Sequence, residues 1–197
     1  MRNKVVVITG ASSGIGLALA LQALEEGAFV AVCARNCTSL IEANSKEIEE
    51  GRFLVMSVDV SNEIACKQFI DAVINKWQKI DVLINNAGIS MRSLLAETEI
   101  SVLKELMNIN FWGTVYCTKY ALESIKAQKG VIVGVSSIAG YRGLPGRTGY
   151  SASKFAMQGF LESLRTELLH SGAHVMWVSP GFTASPSFAS PSLCSLS

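Results

Sequence analysis

Six apolar runs punctuate the chain, at residues 5–8, 29–34, 53–58, 82–84, 131–135 and 174–178. Each is nearly unbroken in apolar residues, valine above all, with little polar alternation. That is the pattern of strands buried on both faces of a parallel sheet. The stretches between them carry apolar residues at helical spacing. Ile15, Ala18, Leu19 and Ala23 predict one side of a first helix, which Gly27 stops. Residues 40–50 read as a polar-faced helix closed by Gly51, and Ser61 is placed to cap another that runs to about residue 79. A long helical segment is predicted over residues 101–126, and Phe155, Phe160, Leu161, Leu164 and Leu168 mark a last one. Strand and helix alternate throughout, with no other internal repeat. The prediction is an α/β fold, a doubly wound, Rossmann-like parallel sheet of six strands, in one domain over residues 1–185.

Composition narrows the function classes. At 197 residues the chain is long enough for a sizeable core, and 49% hydrophobic against 17% charged residues argue against disorder. A net charge of +1 leaves no electrostatic footprint for nucleic acid. The cysteines at 33, 37, 66, 117 and 194 follow neither metal-ligand nor disulfide spacing, so reduced thiols in a cytoplasmic protein are expected. The first apolar run is too short for a signal sequence, and no later run reaches the length of a membrane span. Residues 186–197 break the pattern with a serine- and proline-rich stretch, which reads as a disordered or unrelated tail.

The candidate chemistry gathers where strands end. Thr9-Gly10-Ala11-Ser12-Ser13-Gly14-Ile15-Gly16 joins a buried strand to a helix. That geometry offers backbone N–H groups and a helix N-terminus to a phosphate, and glycine allows the close approach. At the end of the second strand Ala34 leaves no acid, and Arg35 supplies a cation where an arginine accommodates the 2′-phosphate of NADP; a solvent-facing arginine is the plainer alternative. Asp59 suits an adenine edge or a strand-end turn, and position does not decide. Asn85 and Asn86 must satisfy several hydrogen-bonding positions each, by tying strands together or by meeting a ligand. Asn110 precedes Phe111-Trp112-Gly113 inside the long helical segment, where asparagine and glycine are weak formers; a kink, a water site or a tolerated polar residue would each fit. The fifth strand delivers Ser136 and Ser137 to its carboxyl end, where ligands of open α/β sheets bind.

A glycine-rich loop then leads to Tyr150-Ser151-Ala152-Ser153-Lys154. Tyrosine and lysine four apart share a helix face. A free phenol titrates near about 10, and a neighbouring ammonium favours its ionised form, which suits it to acid/base work. His170 and His174 have no partners in a recognisable array.

In this order, on these elements, the motifs resemble the short-chain dehydrogenases/reductases over about residues 4–185. The parts are residues 9–16, Asp59-Val60, residues 85–88, Asn110, Ser137, Tyr150 with Lys154, and Pro180-Gly181. The resemblance implies hydride transfer between a nicotinamide and a carbonyl or secondary alcohol. It implies that Tyr150 is the acid in reduction, Lys154 its partner and a ribose ligand, Ser137 a donor to the substrate oxygen, and Asn110 a holder of water in a proton relay. It places cofactor contacts at Gly10, Ser12, Ser13, Gly14, Ile15 and Gly16. Further contacts fall at Arg35, Asn36, Asp59, Val60, Asn86, Ala87 and Gly88, then at Tyr150, Lys154, Pro180, Gly181 and Thr183. Arg35 matches the NADP-preferring branch, although Ser13 stands where some NADP enzymes carry a base. Ser185 stands where a threonine is usual.

The family continues into a substrate-covering segment and a seventh strand. Residues 186–197 match neither, which predicts truncation or a shifted reading frame after residue 185. The expected partners are a small carbonyl or alcohol and, through the long helices, a second copy in a homodimer or homotetramer. Phe111 and Trp112 are candidates for that contact, and Ile89, Met91, Tyr141 and Leu144 for an apolar substrate lining. The alternative is a dinucleotide-binding protein with little catalytic activity.

Overall fold

The structure, a computed structural model, describes residues 1–181. The expected tail over 186–197 and the contact at Thr183 lie outside the described residues. All six predicted strands form: β1 (Val5–Thr9), β2 (Phe29–Ala34), β3 (Phe53–Ser57), β4 (Val82–Asn85), β5 (Val131–Val135) and β6 (His174–Val178). They lie in the order β3-β2-β1-β4-β5-β6, and every pairing is parallel. This is the doubly wound arrangement, with its strand order reversing between β1 and β4.

The unbroken apolar runs have the expected cause. Successive side chains of a strand point to opposite faces, and helices cover both faces of β1. Val5 and Val7 join a core with Phe69, Ile70 and Val73 of α4 (Glu63–Trp77), with Cys117, Ala121 and Ile125 of α6 (Gly113–Ala127), and with Met157 and Leu161 of α7 (Thr148–Glu167). Val6 and Ile8 join the opposite core, with Ala20, Ala23 and Leu24 of α1 (Gly14–Glu25). Phe69 and Ile70 are fully buried, each contributing about 1.5–3 kcal/mol of transfer free energy.

Several helix expectations change. The buried stripe of α1 is Gly16, Ala20, Ala23 and Leu24, rotated from the predicted one; Ala18 faces solvent. The segment after β2 is two short helices, α2 (Thr38–Ala43) and α3 (Ser45–Glu49). They are divided at Asn44, whose side chain donates to the Leu40 carbonyl (2.8 Å). The cap of α4 is Asn62, which accepts from the Ala65 amide (3.0 Å), because Ser61 is taken up by Asp59. The long helical segment is α5 (Ile100–Leu106), a π-helical stretch (Met107–Trp112) and α6 in direct succession.

Away from the strand carboxyl ends, Asp81 locks the sheet. Its carboxylate accepts from Lys4 Nζ (2.7 Å) and the Val5 amide (2.9 Å), and Lys79 lies at 3.1 Å. Burial alone would raise the Asp81 pKa, but these donors together hold it below the ordinary carboxylate value. The α1 side of the sheet is less covered beyond β1. Val82, Ile84, Val131 and Val133 are only half-buried, and Met176 and Val178 of the edge strand β6 are exposed.

Candidate active site

The turn after β1 is held from two sides. Gly10 and Gly14 adopt positive φ (68° and 58°), a region that disfavours any side chain. The Gly10 amide donates to the Cys33 carbonyl of β2 (2.7 Å). From the other side, Asn86 Nδ2 donates to the carbonyls of Thr9 and Gly10 (both 2.9 Å). Thr9 Oγ1 accepts the amides of Asn86 (3.1 Å) and Ala87 (3.0 Å). A Cβ on Gly10 would stand 2.6 Å from Ala87 Cα, and one on Gly16 would collide with the Asn86 amide. Asn86 therefore builds the turn, and its neighbour Asn85 donates to Thr118 Oγ1 (3.0 Å). Ser13, exposed at the start of α1, makes no side-chain capping bond. The result is a helix N-terminus behind a glycine cradle, a geometry suited to a phosphate.

Beside the turn lies a cavity of about 240 Å³ lined by Ser12, Asn36, Ser39 and Leu40. Arg35 is exposed next to it, and its carbonyl is fixed by Ser57 Oγ (2.8 Å). Asn36 Oδ1 accepts the Thr38 amide (3.1 Å). Asp59 is occupied locally: its Oδ1 accepts both the amide and the hydroxyl of Ser61. Val60 is buried beneath Gly113, where a Cβ would come within 3.0 Å of its own Cβ.

The second half of the site is built around Asn110. It sits fully buried in the π-helical stretch, so the segment departs from regular α-helix at this residue. Its Oδ1 accepts the Ile89 amide (2.8 Å), and its Nδ2 donates to the Ile89 carbonyl and to Ser153 Oγ (2.9 Å each). Ser153 Oγ in turn donates to the Tyr150 carbonyl (2.8 Å). One side chain thus joins the loop after β4 to the helix that carries Tyr150 and Lys154. The Asn110 carbonyl itself accepts from Thr114 Oγ1 (3.0 Å).

Lys154 is buried on α7, its Nζ donating to the Val135 carbonyl at the end of β5 (2.8 Å) and standing 5.9 Å from the centre of the Tyr150 ring. Burial lowers its pKa to about 8, so at neutral pH it remains mostly an ammonium. Gly88 is exposed, and a Cβ there would lie 3.1 Å from Asn110 Oδ1 and 3.4 Å from Lys154 Nζ. Loop, π-helical stretch and α7 therefore converge on one point. Tyr150 is half-buried beside it. Ser137 begins a short 3-10 turn (Ile138–Gly140) at the end of β5, and its Oγ accepts the Ala139 amide (3.2 Å). Pro180 is half-buried and Gly181 exposed after β6.

Some residues take other places. Met91 is buried under Gly149, where a Cβ would meet its sulfur at 3.2 Å, so it is core beneath the helix start. Tyr141 is exposed and accepts from Trp177 Nε1 (2.7 Å). Pattern also hides some contributors. Gln158 donates to Ser136 Oγ (2.8 Å), and Gly140 packs so closely that a Cβ would lie 2.5 Å from Gln158 Nε2. Its spacing of four from Lys154 was the available signal.

The family model for short chain dehydrogenase matches residues 4–192. The chain is 41% identical over 186 residues to an 11-beta-hydroxysteroid dehydrogenase A of Arachis hypogaea, covering 93% of this chain and 53% of that protein. It is 38% identical over 192 residues to a 3-ketodihydrosphingosine reductase of Bos taurus, covering 93% and 58%. The chain spans little more than half the length of these curated relatives. Among solved structures, a short-chain dehydrogenase/reductase of unknown function from Caenorhabditis elegans, with cofactor, superposes with a TM-score of 0.89 at 29% identity over 96% of this chain and 74% of that one. An alcohol dehydrogenase from Thermococcus sibiricus, complexed with 5-hydroxy-NADP, gives 0.85 at 27% identity over 91% and 77%. A relative from Burkholderia phymatum in complex with NAD also gives 0.85, at 26% identity over 93% and 67%. With the family model matched over nearly its whole length, the chain belongs to the short-chain dehydrogenase/reductase family.

Proposed function

We propose that the chain is an NADP-dependent oxidoreductase that moves hydride between a nicotinamide and a carbonyl or secondary alcohol. The observation that carries this is the buried Lys154 ammonium beside Tyr150, set where Gly88 and Asn110 meet at the strand carboxyl ends. The donor set fits the cofactor. Gly10, Ser12, Ser13, Gly14, Ile15 and Gly16 form the phosphate cradle, and Asp59 with Val60 flanks the adenine end. Asn86, Ala87 and Gly88, then Pro180, Gly181 and Thr183, complete the binding path toward Tyr150 and Lys154. Bound there, the dinucleotide supplies or accepts the hydride. In the reductive direction Tyr150 donates its proton to the substrate oxygen, and Ser137 hydrogen-bonds that oxygen as negative charge grows on it. Lys154 stabilises the phenolate left behind. Asn110 keeps Ser153 and the Ile89 loop in register with that phenol.

Arg35, with Asn36 and the Ser12–Ser39 cavity beside it, supports NADP over NAD. Four free, buried thiols suit a cytoplasmic setting. A groove of about 450 Å³ lined by Ile100, Leu103, Lys104, Met107, Asn108 and Trp112 supports pairing of two copies, as a homodimer or within a homotetramer. No helix among the described residues is long and apolar enough to cross a membrane.

Tryptophan-fluorescence titration with NADPH and NADH, followed by NADPH oxidation with a panel of ketones, tests the reading. NADPH should bind more tightly, and Arg35→Ser should cut that preference by about tenfold or more, the worth of a charge-assisted bond to phosphate. Turnover no greater than in Tyr150→Phe overturns the catalytic assignment. A second reading, a dinucleotide-binding protein with little turnover, draws on the exposed Met176 and Val178 beside the site-bearing strand ends. Tight cofactor binding without turnover selects it.

A further inference from the structure

Two of the segments that build the catalytic end are electrically one-sided. Residues 82–96 and 136–161 contain Arg92, Arg142, Arg147 and Lys154 and no aspartate or glutamate, although the whole chain is nearly balanced at 17 basic and 16 acidic residues. None of the ion pairs among the described residues includes any of these four cations.

Of the three arginines, Arg147 is the one that stands against the Tyr150 ring. It stands three residues before Tyr150, at the N-cap of the 20-residue helix α7. Its guanidinium carbon lies 5.7 Å from the centre of the Tyr150 ring, and its Nη1 donates to Ser90 Oγ on the loop that follows Gly88. The side chain is only half-exposed. A guanidinium has five N–H donors in a rigid fork and no acceptor, so the Ser90 bond leaves most of them open. Its position at the head of α7 adds the positive end of the helix dipole to its own charge.

Building on the proposed oxidoreductase function, we infer that Arg147, steadied by Ser90, is an anion-binding subsite, and that the substrate is an oxo acid: a carbonyl compound bearing a carboxylate. The planar fork matches a carboxylate in two-point contact. Its place one helical turn from the phenol would set the reducible carbonyl of such a molecule near Tyr150 while the carboxylate stays on the arginine. A neutral ketone would leave these donors to water.

The test compares a short series of oxo acids with their methyl esters, using NADPH and the full chain. The wild type should favour acid over ester in kcat/KM. Arg147→Met, which keeps an apolar stem over the ring, should lower that acid-to-ester ratio by about ten- to a hundredfold, the worth of a charge-assisted hydrogen bond. Arg147→Lys should restore part of it. Equal use of acid and ester by the wild type overturns the inference, as does a preference that survives in Arg147→Met.

A second measurement needs neither turnover nor a variant. Phenylglyoxal labelling of the wild-type chain, read by peptide mass spectrometry, should show Arg147 protected by the oxo acids and not by the esters. Equal labelling in both overturns the subsite. Protection by NADPH alone, with no further effect of the acids, overturns it too, because the arginine would then serve the cofactor. Loss of turnover with every ketone while acid-specific protection persists would count against the oxidoreductase reading and leave the anion subsite supported.

Discussion

Replacing Asn110 by alanine separates two roles that one residue could fill. The side chain makes three hydrogen bonds in a fully buried place, to both backbone groups of Ile89 and to Ser153 Oγ. Alanine removes all three and leaves the Ile89 amide and carbonyl without this partner. A buried group so orphaned costs about 1–3 kcal/mol. Ser153 Oγ loses less, since it still donates to the Tyr150 carbonyl. The expected loss is therefore about 3 kcal/mol, which corresponds to a fall in Tm of roughly 6–12 °C for a domain of this size. Urea denaturation of the ligand-free chain measures it as a lower midpoint at unchanged slope. A cycle with Ser153→Ala should show a coupling of about 0.5–1.5 kcal/mol, because the two side chains touch. A residue whose only role is to hold water in a proton relay predicts lost turnover at unchanged stability. If Asn110→Ala unfolds within about 1 kcal/mol of wild type, the reasoning from its hydrogen bonds fails.

Asp81→Asn should cost about 1–3 kcal/mol at neutral pH, chiefly through weaker bonds to the buried Val5 amide, with the solvent-reaching lysines adding little. Because its folded pKa is depressed, the wild-type advantage is full above the unfolded value near about 4 and disappears as pH falls through the folded value. Denaturation across that acid range should show the two proteins converging; a constant gap refutes it. For Lys154 the folded pKa of about 8 lies below that of an exposed lysine, so between these values the unfolded chain binds more protons and stability rises with pH. Relative to Lys154→Met, the ligand-free wild type should gain a few kcal/mol between about pH 8 and pH 10.5, and a flat difference would show that burial does not depress this amine.

The strand pattern was legible because both-face burial leaves nothing for a polar residue to do in the sheet centre. β1 reads as Val-Val-Val-Ile-Thr and is buried at every position. Helix faces were less legible. In α1 the buried stripe runs through Gly16 and Ala20, small residues whose value is close approach and not hydrophobicity, so an apolar count rotates the face. The break at Asn44 and the cap at Asn62 show the same thing from the polar side, since a side chain that bonds its own backbone outcompetes the periodic pattern.

For the site, spacing within one helix was enough to pair Tyr150 with Lys154, but not to say what holds them. The holding groups come from elsewhere in the chain: Val135 for the amine, Ile89 for Asn110, Thr9 for the Asn86 loop. Each is a backbone group, or a short side chain, whose part depends on which strand ends become neighbours. Arg147 makes the point most sharply. Its sequence neighbours are glycine, proline and threonine, and only the approach of the loop after β4 brings Ser90 to its guanidinium. The charge imbalance at this end is readable from the sequence once the topology says that residues 82–96 and 136–161 share it. Arg147 stands against the Tyr150 ring and joins none of the ion pairs among the described residues, so a carboxylate on the substrate can become its counter-ion.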